Sequence, residues 1–220
     1  LNESAMGKIF AVGDVHGCLE KLEHLMEKIR PDRRQDILVF LGDYIDRGPD
    51  SRGVVDFILE LRETHDSVIC LMGNHEEMLL DYIRDHSNRN LYFINGGRAT
   101  LRSYGLDPES AVREEDIPED HLRFFKTLLL YYETADYLFV HAGLRPGIPL
   151  DKQDREDLLW IRGEFLFGPG NLEKTVIFGH TPFRQPFENK RRIGIDTGAV
   201  FGGPLTCLEL PAMKFHQVWS

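Results

Sequence analysis

Cysteine is scarce in this chain. Cys18, Cys70 and Cys207 are spread over 220 residues without a CxxC pair. So sparse and odd a count excludes a disulfide framework and fits a reducing compartment, expected to be the cytosol. Basic residues are outnumbered, 26 Lys+Arg against 36 Asp+Glu, for a net charge of −10. That excludes a broad nucleic-acid footprint, which needs a basic face, but leaves room for a local positive pocket. No apolar run approaches the roughly 18 residues of a membrane span, so no membrane partner is expected. A charged-then-apolar leader is also missing, and LNESA before Met6 reads as leftover expression sequence. Internal repeats and low-complexity tracts are absent.

What remains is ordinarily globular, 42% hydrophobic and 28% charged. The length fits one domain, expected over residues 6–220. Apolar runs predict strands at 8–12, 37–41 and 68–72. Amphipathic stretches predict helices at 18–29, at 51–62 and through Met78, Leu79 and Ile83. Residues 103–120 read as an irregular, acidic insertion, followed by a helix at 121–132. Further strands are predicted at 137–140, 175–178, 192–196, 205–210 and 214–219, the last two as a hairpin around Pro211. Alternating β and α early, then mostly β, predicts an α/β fold: two packed mixed β-sheets flanked by α-helices, an α-β-β-α sandwich.

Polar motifs punctuate the predicted strand ends. They are GDVHG (13–17), GDYIDRG (42–48), GNHE (73–76), HAG (141–143), GHT (179–181) and DTG (196–198). Strand C-termini converge in α/β proteins and place ligands there. The donor groups at these ends are Asp14, His16, Asp43, Asn74, His141 and His180. Two carboxylates, three imidazoles and an amide suffice for two divalent ions if one carboxylate bridges them. Mixed N/O donors suit Mn, Fe or Zn and disfavour calcium. Any one motif alone is as readily a turn; the six together point to a metal site.

Taken jointly, GDVHG, GDYIDRG, GNHE, HAG and GHT resemble the metal-dependent serine/threonine protein phosphatases of the calcineurin-like metallophosphoesterase superfamily, in their compact bacterial and bacteriophage lambda form. The resemblance implies that Asp14 and His16 bind a first metal, that Asp43 bridges, and that Asn74, His141 and His180 bind a second. It implies His75 as general acid positioned by Asp46, and Arg47 and Arg162 as phosphate ligands, with Arg162 in the W-x-R of LLWIRGE. The implied cofactors are two divalent ions, Mn²⁺ foremost, and the implied partner is a phosphorylated protein. Hydroxide from a metal-shared water would attack phosphorus in line, and a protonated histidine would release the serine or threonine alkoxide.

Rival chemistries are weaker. None of the cysteines starts a Cys-x5-Arg loop: six positions on stand His24, Glu76 and Met213. GPGNLEKT (168–175) misses the nucleotide loop, because Glu173 stands where its second glycine belongs. Within the superfamily, DTGAVFGGPLTCL and HAG also fit symmetrical diadenosine tetraphosphate hydrolases, whereas Asp46 and Glu76 favour the protein phosphatase. Met72 replaces the arginine usual before GNHE. A catalytically dead binding module would lack a ligand or the acid, and none is missing. His24, His65, His86, His121 and His216 are expected at the surface or as caps, and Cys18 as a small buried thiol. Asn95-Gly96-Gly97 is a turn beside the cleft. The segment 107–120, with seven acids and one arginine, is expected to be solvated. Lys190, Arg191 and Arg192 are candidates for contact with acidic substrate.

Overall fold

Strands buried on both faces read as unbroken apolar runs, and the short runs IFAV, ILVF, YLFV and TVIF behave this way. In the computed structural model, which describes residues 7–219, they form β1 (Ile9–Val12), β2 (Ile37–Phe40), β5 (Tyr137–Val140) and β6 (Thr175–Phe178). The reading of LNESA lies outside the described residues. β3 (Val68–Cys70), β9 (Leu205–Leu210) and β10 (Lys214–Val218) complete a first sheet in the order β10-β9-β1-β2-β3. β4 (Tyr131–Glu133), β7 (Phe187–Asn189) and β8 (Arg192–Gly194) complete a second, β4-β5-β6-β8-β7. Both are mixed: β1 runs parallel to β2 and antiparallel to β9, and β5 runs parallel to β6 and antiparallel to β4.

The period of two sorts side chains between layers. Ala11, Val39, Phe139, Ile177 and Leu208 meet between the sheets. Phe10, Val12, Leu38 and Phe40 turn instead towards helices α1 (Leu19–Ile29), α2 (Ser51–Thr64) and α3 (Asn74–Asp85). Leu138, Val140, Val176 and Phe178 turn towards α7 (Arg155–Trp160) and α8 (Gly163–Leu166). The architecture is the expected helix–sheet–sheet–helix sandwich.

The stretch after α3 departs from expectation. α4 (Arg89–Ile94) and α5 (Gly97–Ser103) occupy residues in which no helix is predicted. The predicted helix 121–132 is instead α6 (Glu119–Lys126) followed by the edge strand β4. Thr127 ends α6, its amide and hydroxyl both turned back to the carbonyls of Arg123 and Phe124. Tyr132 then stacks on Phe139 across the strand pair, a β preference that outweighs the helical look of the leucine run.

Candidate active site

β1, β2, β5 and β6 point their C-termini at one edge, and the polar motifs follow directly. Gly42 lets the chain turn there. Its φ is +102°, and a Cβ would lie 2.6 Å from the Gly73 nitrogen and 2.9 Å from His141 Nδ1. Asp14, His16, Asp43, Asp46, Asn74, His75, His141 and His180 are all buried here, so the eight motif residues expected at the site do converge. Five site residues other than glycine adopt left-handed backbone: His16 (φ 46°), Asp43 (53°), Asp46 (71°), Arg47 (67°) and His180 (63°). Such conformations are uncommon outside glycine and cluster at functional sites.

Two groups of donor atoms form around Asp43: His16, Asp43 and His75 in one, Asp43, His141 and His180 in the other, with the atoms of each group within 4.8 Å of one another. Asp43 Oδ2 lies 3.4 Å from His16 Nε2, and Oδ1 lies 3.4 Å from His141 Nε2. Each oxygen of one carboxylate thus faces a different group. Asn74 Oδ1 is 3.0 Å from both His141 Nε2 and His180 Nδ1. Asp14 stands outside the two tight groups, its carboxylate accepting the His180 N–H at 3.0 and 3.2 Å.

The residues fit a pair of cations. His16 and His141 each direct Nδ1 at a main-chain carbonyl, Ile45 at 2.7 Å and Leu41 at 2.8 Å. A neutral ring that donates from Nδ1 presents a bare lone pair at Nε2, the usual arrangement of a ligating histidine. His141 Nε2 therefore meets Asn74 Oδ1 lone pair to lone pair, a contact that a positive ion between them relieves. Burial keeps these imidazoles neutral: it pulls His16 down to about 3 and His141 below its ordinary value. In His180 burial, helped by His141 and Arg162, lowers the pKa to about 2. Burial and the charges of Asp196 and Asp43 hold Asp14 well above the carboxylate range, a repulsion that bound cations would remove. A guanidinium already occupies part of the space: Arg47 Nη1 donates to His16 Nε2 at 2.6 Å.

His75 is built differently. Its Nδ1 lies 2.6 Å from Asp46 Oδ2, and its Nε2 faces Asp43 Oδ2 at 3.9 Å. Burial opposes its charge, but Asp43 and the Asp46 hydrogen bond overcome it, so the pKa is raised. Asp46 is held in turn: Thr100 donates to its Oδ1 at 2.5 Å, and its amide reaches the Ser51 and Thr100 hydroxyls. Glu76 caps α3 through the Gly73 amide and also accepts the amides of Asp43 and Tyr44, at 3.0 and 2.9 Å. The longer Glu side chain spans α3 and the GDYIDRG loop together. Arg47 and Arg162 are exposed at the rim. Beside Arg162 opens a cleft of about 500 Å³ to which Asp154, Glu156, Asp157 and Glu164 contribute.

Motif reading passes over Thr100, Ser51 and Asp196. Thr100 lies 54 residues from its partner Asp46, in a helix without a sequence signature. Asp196 is buried beside Asp14, and burial together with Asp43 raises it to about 6; the DTG motif was its available signal. Three expectations are corrected. His121 is neither at the surface nor a cap: it is buried between the Tyr104 hydroxyl, 2.8 Å away, and Asp56, 2.9 Å away. His216 is partly buried and pairs with Glu209 at 2.7 Å. Arg192 is buried against the carbonyls of Gly168 and Pro169, so it does not present a basic surface to substrate.

The profile of the calcineurin-like phosphoesterases matches residues 7–209. The chain belongs to the calcineurin-like phosphoesterase family. It is thereby a metallophosphoesterase-type hydrolase, of a family that works with two metal ions. Its similarities divide over substrate. It is 36% identical over 207 residues to serine/threonine-protein phosphatase 1 of Salmonella typhimurium, covering 92% of this chain and 91% of that protein. It is 28% identical over 236 residues to the asymmetrical bis(5'-nucleosyl)-tetraphosphatase PrpE of Bacillus thuringiensis, covering 95% and 93%. A crystal structure proposed to be a diadenosine tetraphosphatase superposes with a TM-score of 0.75 at 26% identity, covering 98% of this chain and 94% of that one. No helix among the described residues is long and apolar enough to cross a membrane.

Proposed function

We propose that the chain is a dimetal-dependent phosphoprotein phosphatase acting on phosphoserine and phosphothreonine, with phosphotyrosine as a secondary candidate. The observation that carries this reading is the buried His75–Asp46 pair at 2.6 Å. An alkoxide leaving group needs a proton, and a histidine held charged is fitted to give it. A nucleotide leaves as a stabilised anion and has less need of an acid. The 36% identity to a serine/threonine phosphatase supports the same choice.

In this reading Asp14 and His16 would hold one ion, Asn74, His141 and His180 the other, and Asp43 would serve both. Mn²⁺ is the preferred ion, with Fe and Zn in the same donor class. Two such ions, when bound, lower the pKa of a shared water and supply the attacking hydroxide. The Ile45 and Leu41 carbonyls fix the rings of His16 and His141. Arg47 leaves His16 Nε2 and, with Arg162, meets the phosphoryl oxygens as a planar donor fork. The N-terminus of α3, where Asn74 and His75 sit, adds its dipole towards the developing negative charge. His75 Nε2 protonates the departing oxygen, Asp46 keeps that imidazole charged and oriented, and Thr100 and Ser51 hold Asp46. Arg145 pairs with Asp157 and Glu164 in the cleft beside Arg162, and the remaining acids there, Asp154 and Glu156, give no welcome to a trail of further phosphates.

The second reading is a diadenosine tetraphosphate hydrolase, favoured by the 28% identical tetraphosphatase and the TM-score of 0.75. Metal-stripped protein, with and without added Mn²⁺, is to be given a phosphoserine peptide and diadenosine tetraphosphate side by side. Mn-dependent release from the peptide with little attack on the dinucleotide is the expected result. The opposite preference replaces this reading with the second one.

A further inference from the structure

An exposed aromatic ring stands at the mouth of the candidate active site. Phe201 follows the DTG motif, in a helical turn over Ala199–Phe201, and is 64% exposed. Its ring centre lies 5.4 Å from the guanidinium carbon of Arg47. Arg47 in turn donates to His16 Nε2 at 2.6 Å, so a single guanidinium separates the ring from a candidate metal ligand. Lone exposed apolar residues are ordinary on a protein surface, but this one is held in place.

Lys21, on α1, donates from Nζ to the carbonyls of Ala199 at 3.0 Å and Gly203 at 2.8 Å. The Phe201 and Gly203 amides both reach the Gly198 carbonyl at 2.9 Å. Gly198 and Gly202 adopt left-handed backbone, with φ +70° and +88°, which lets the turn close this tightly. The Thr197 hydroxyl donates to the Pro204 carbonyl at 2.6 Å. The ring is thus fixed beside Arg47 while most of it faces water.

A second exposed apolar surface adjoins Arg47 from another segment. The Arg47 amide donates to the Gly96 carbonyl at 3.3 Å, and a Cβ on Gly96 would lie 2.7 Å from Arg47 Cγ. Two residues before Gly96, Ile94 is 85% exposed, and Leu91, one turn earlier in α4, is exposed too. Both segments that touch Arg47 therefore carry apolar side chains in water, and apolar surface gathered around one spot marks a place of contact.

We propose that Phe201 is a specificity-determining residue, its ring receiving an apolar side chain next to the phosphorylated residue of a peptide. This rests on the phosphoprotein phosphatase reading. With Arg47 on the phosphoryl oxygens, the ring stands one residue's step away, because consecutive Cα atoms are about 3.8 Å apart. An aliphatic side chain laid on the ring removes apolar surface of both from water. A carboxylate there would meet the negative face of the ring.

Two phosphoserine peptides test this on the Mn²⁺-loaded protein. They differ only in the residues flanking phosphoserine, leucine in one and asparagine, of similar size, in the other. kcat/KM is expected to be about tenfold higher for the leucine peptide. Phe201→Ser is expected to shrink that preference to about twofold or less, and Phe201→Leu, which keeps an apolar side chain, to retain most of it. 4-Nitrophenyl phosphate, which has no flanking residue, is the reference substrate. Equal kcat/KM for the two peptides, or a preference that survives Phe201→Ser, overturns the proposal and leaves the phosphatase reading standing. So does an equal loss in Phe201→Ser on both peptides and on 4-nitrophenyl phosphate, because Phe201 would then only steady Arg47. Refusal of both peptides while diadenosine tetraphosphate is cleaved overturns the phosphatase reading, and this proposal with it.

Discussion

Asp46→Asn isolates the proposed proton donor from the rest of the site. Asn keeps the volume of Asp46 and an oxygen for the Thr100 hydroxyl, but it turns an amide towards His75 Nδ1. What is lost is the charge-assisted hydrogen bond at 2.6 Å in a fully buried setting. Such bonds contribute about 1.5–3 kcal/mol. Without it His75 holds its proton less tightly. Burial, the largest influence on it, already acts in that direction. A phosphoserine peptide, whose alkoxide needs the proton, should therefore turn over about 10–100-fold more slowly near neutral pH. A nitrophenyl phosphate, whose leaving group departs unaided, should lose less than about threefold. The assay is kcat on both substrates at saturating Mn²⁺, with bound metal measured in parallel. Equal losses on both substrates with metal retained would refute the reasoning, because the pair would then act on something other than the leaving group.

Other perturbations probe other layers of the molecule. Asp43→Asn removes the carboxylate shared by the two donor groups, so the purified variant should carry less metal than the parent; unchanged content by elemental analysis would refute the bridge. Phe139→Ala, between the sheets and fully buried, should cost about 3–5 kcal/mol in denaturant unfolding. For Glu209, the hydrogen bonds from Lys8 and His216 hold the carboxyl below its ordinary 4.5. A depressed folded-state pKa contributes stability that is present above 4.5 and lost as pH falls through the folded value. Glu209→Gln should then narrow the difference between melting temperatures at pH 7 and pH 4, and an unchanged difference would count against the triad.

The legible part of the fold was the part under one local rule. Runs such as ILVF and TVIF announce strands, and glycine-flanked Asp, Asn and His announce their ends, so the eight buried motif residues could be named before the architecture was known. Residues 89–103 obey no such rule. α4 and α5 carry no clear apolar period, and α5 matters mainly because Thr100 reaches Asp46 across 54 residues. β4 was hidden because LLLYYE reads equally well as helix, and only pairing with β5 decides it. Arg192 and His121 look like surface charge in the sequence. Their burial is a tertiary fact, set by Phe165 beneath one and by Tyr104 and Asp56 around the other.

The left-handed backbone beneath His16, Asp43, Asp46, Arg47 and His180 sets thermal robustness against catalysis at the same positions. Each such residue costs on the order of 1 kcal/mol relative to glycine in that conformation. Four of the five are buried, and their removal would leave holes. Arg47 is exposed, and trimming it leaves no buried hole, giving up only its hydrogen bond to His16 and its place over the Phe201 ring. A selection for heat resistance that ignored activity would drift towards glycine there, giving a protein that melts later and, on the role proposed for Arg47, holds phosphate more weakly.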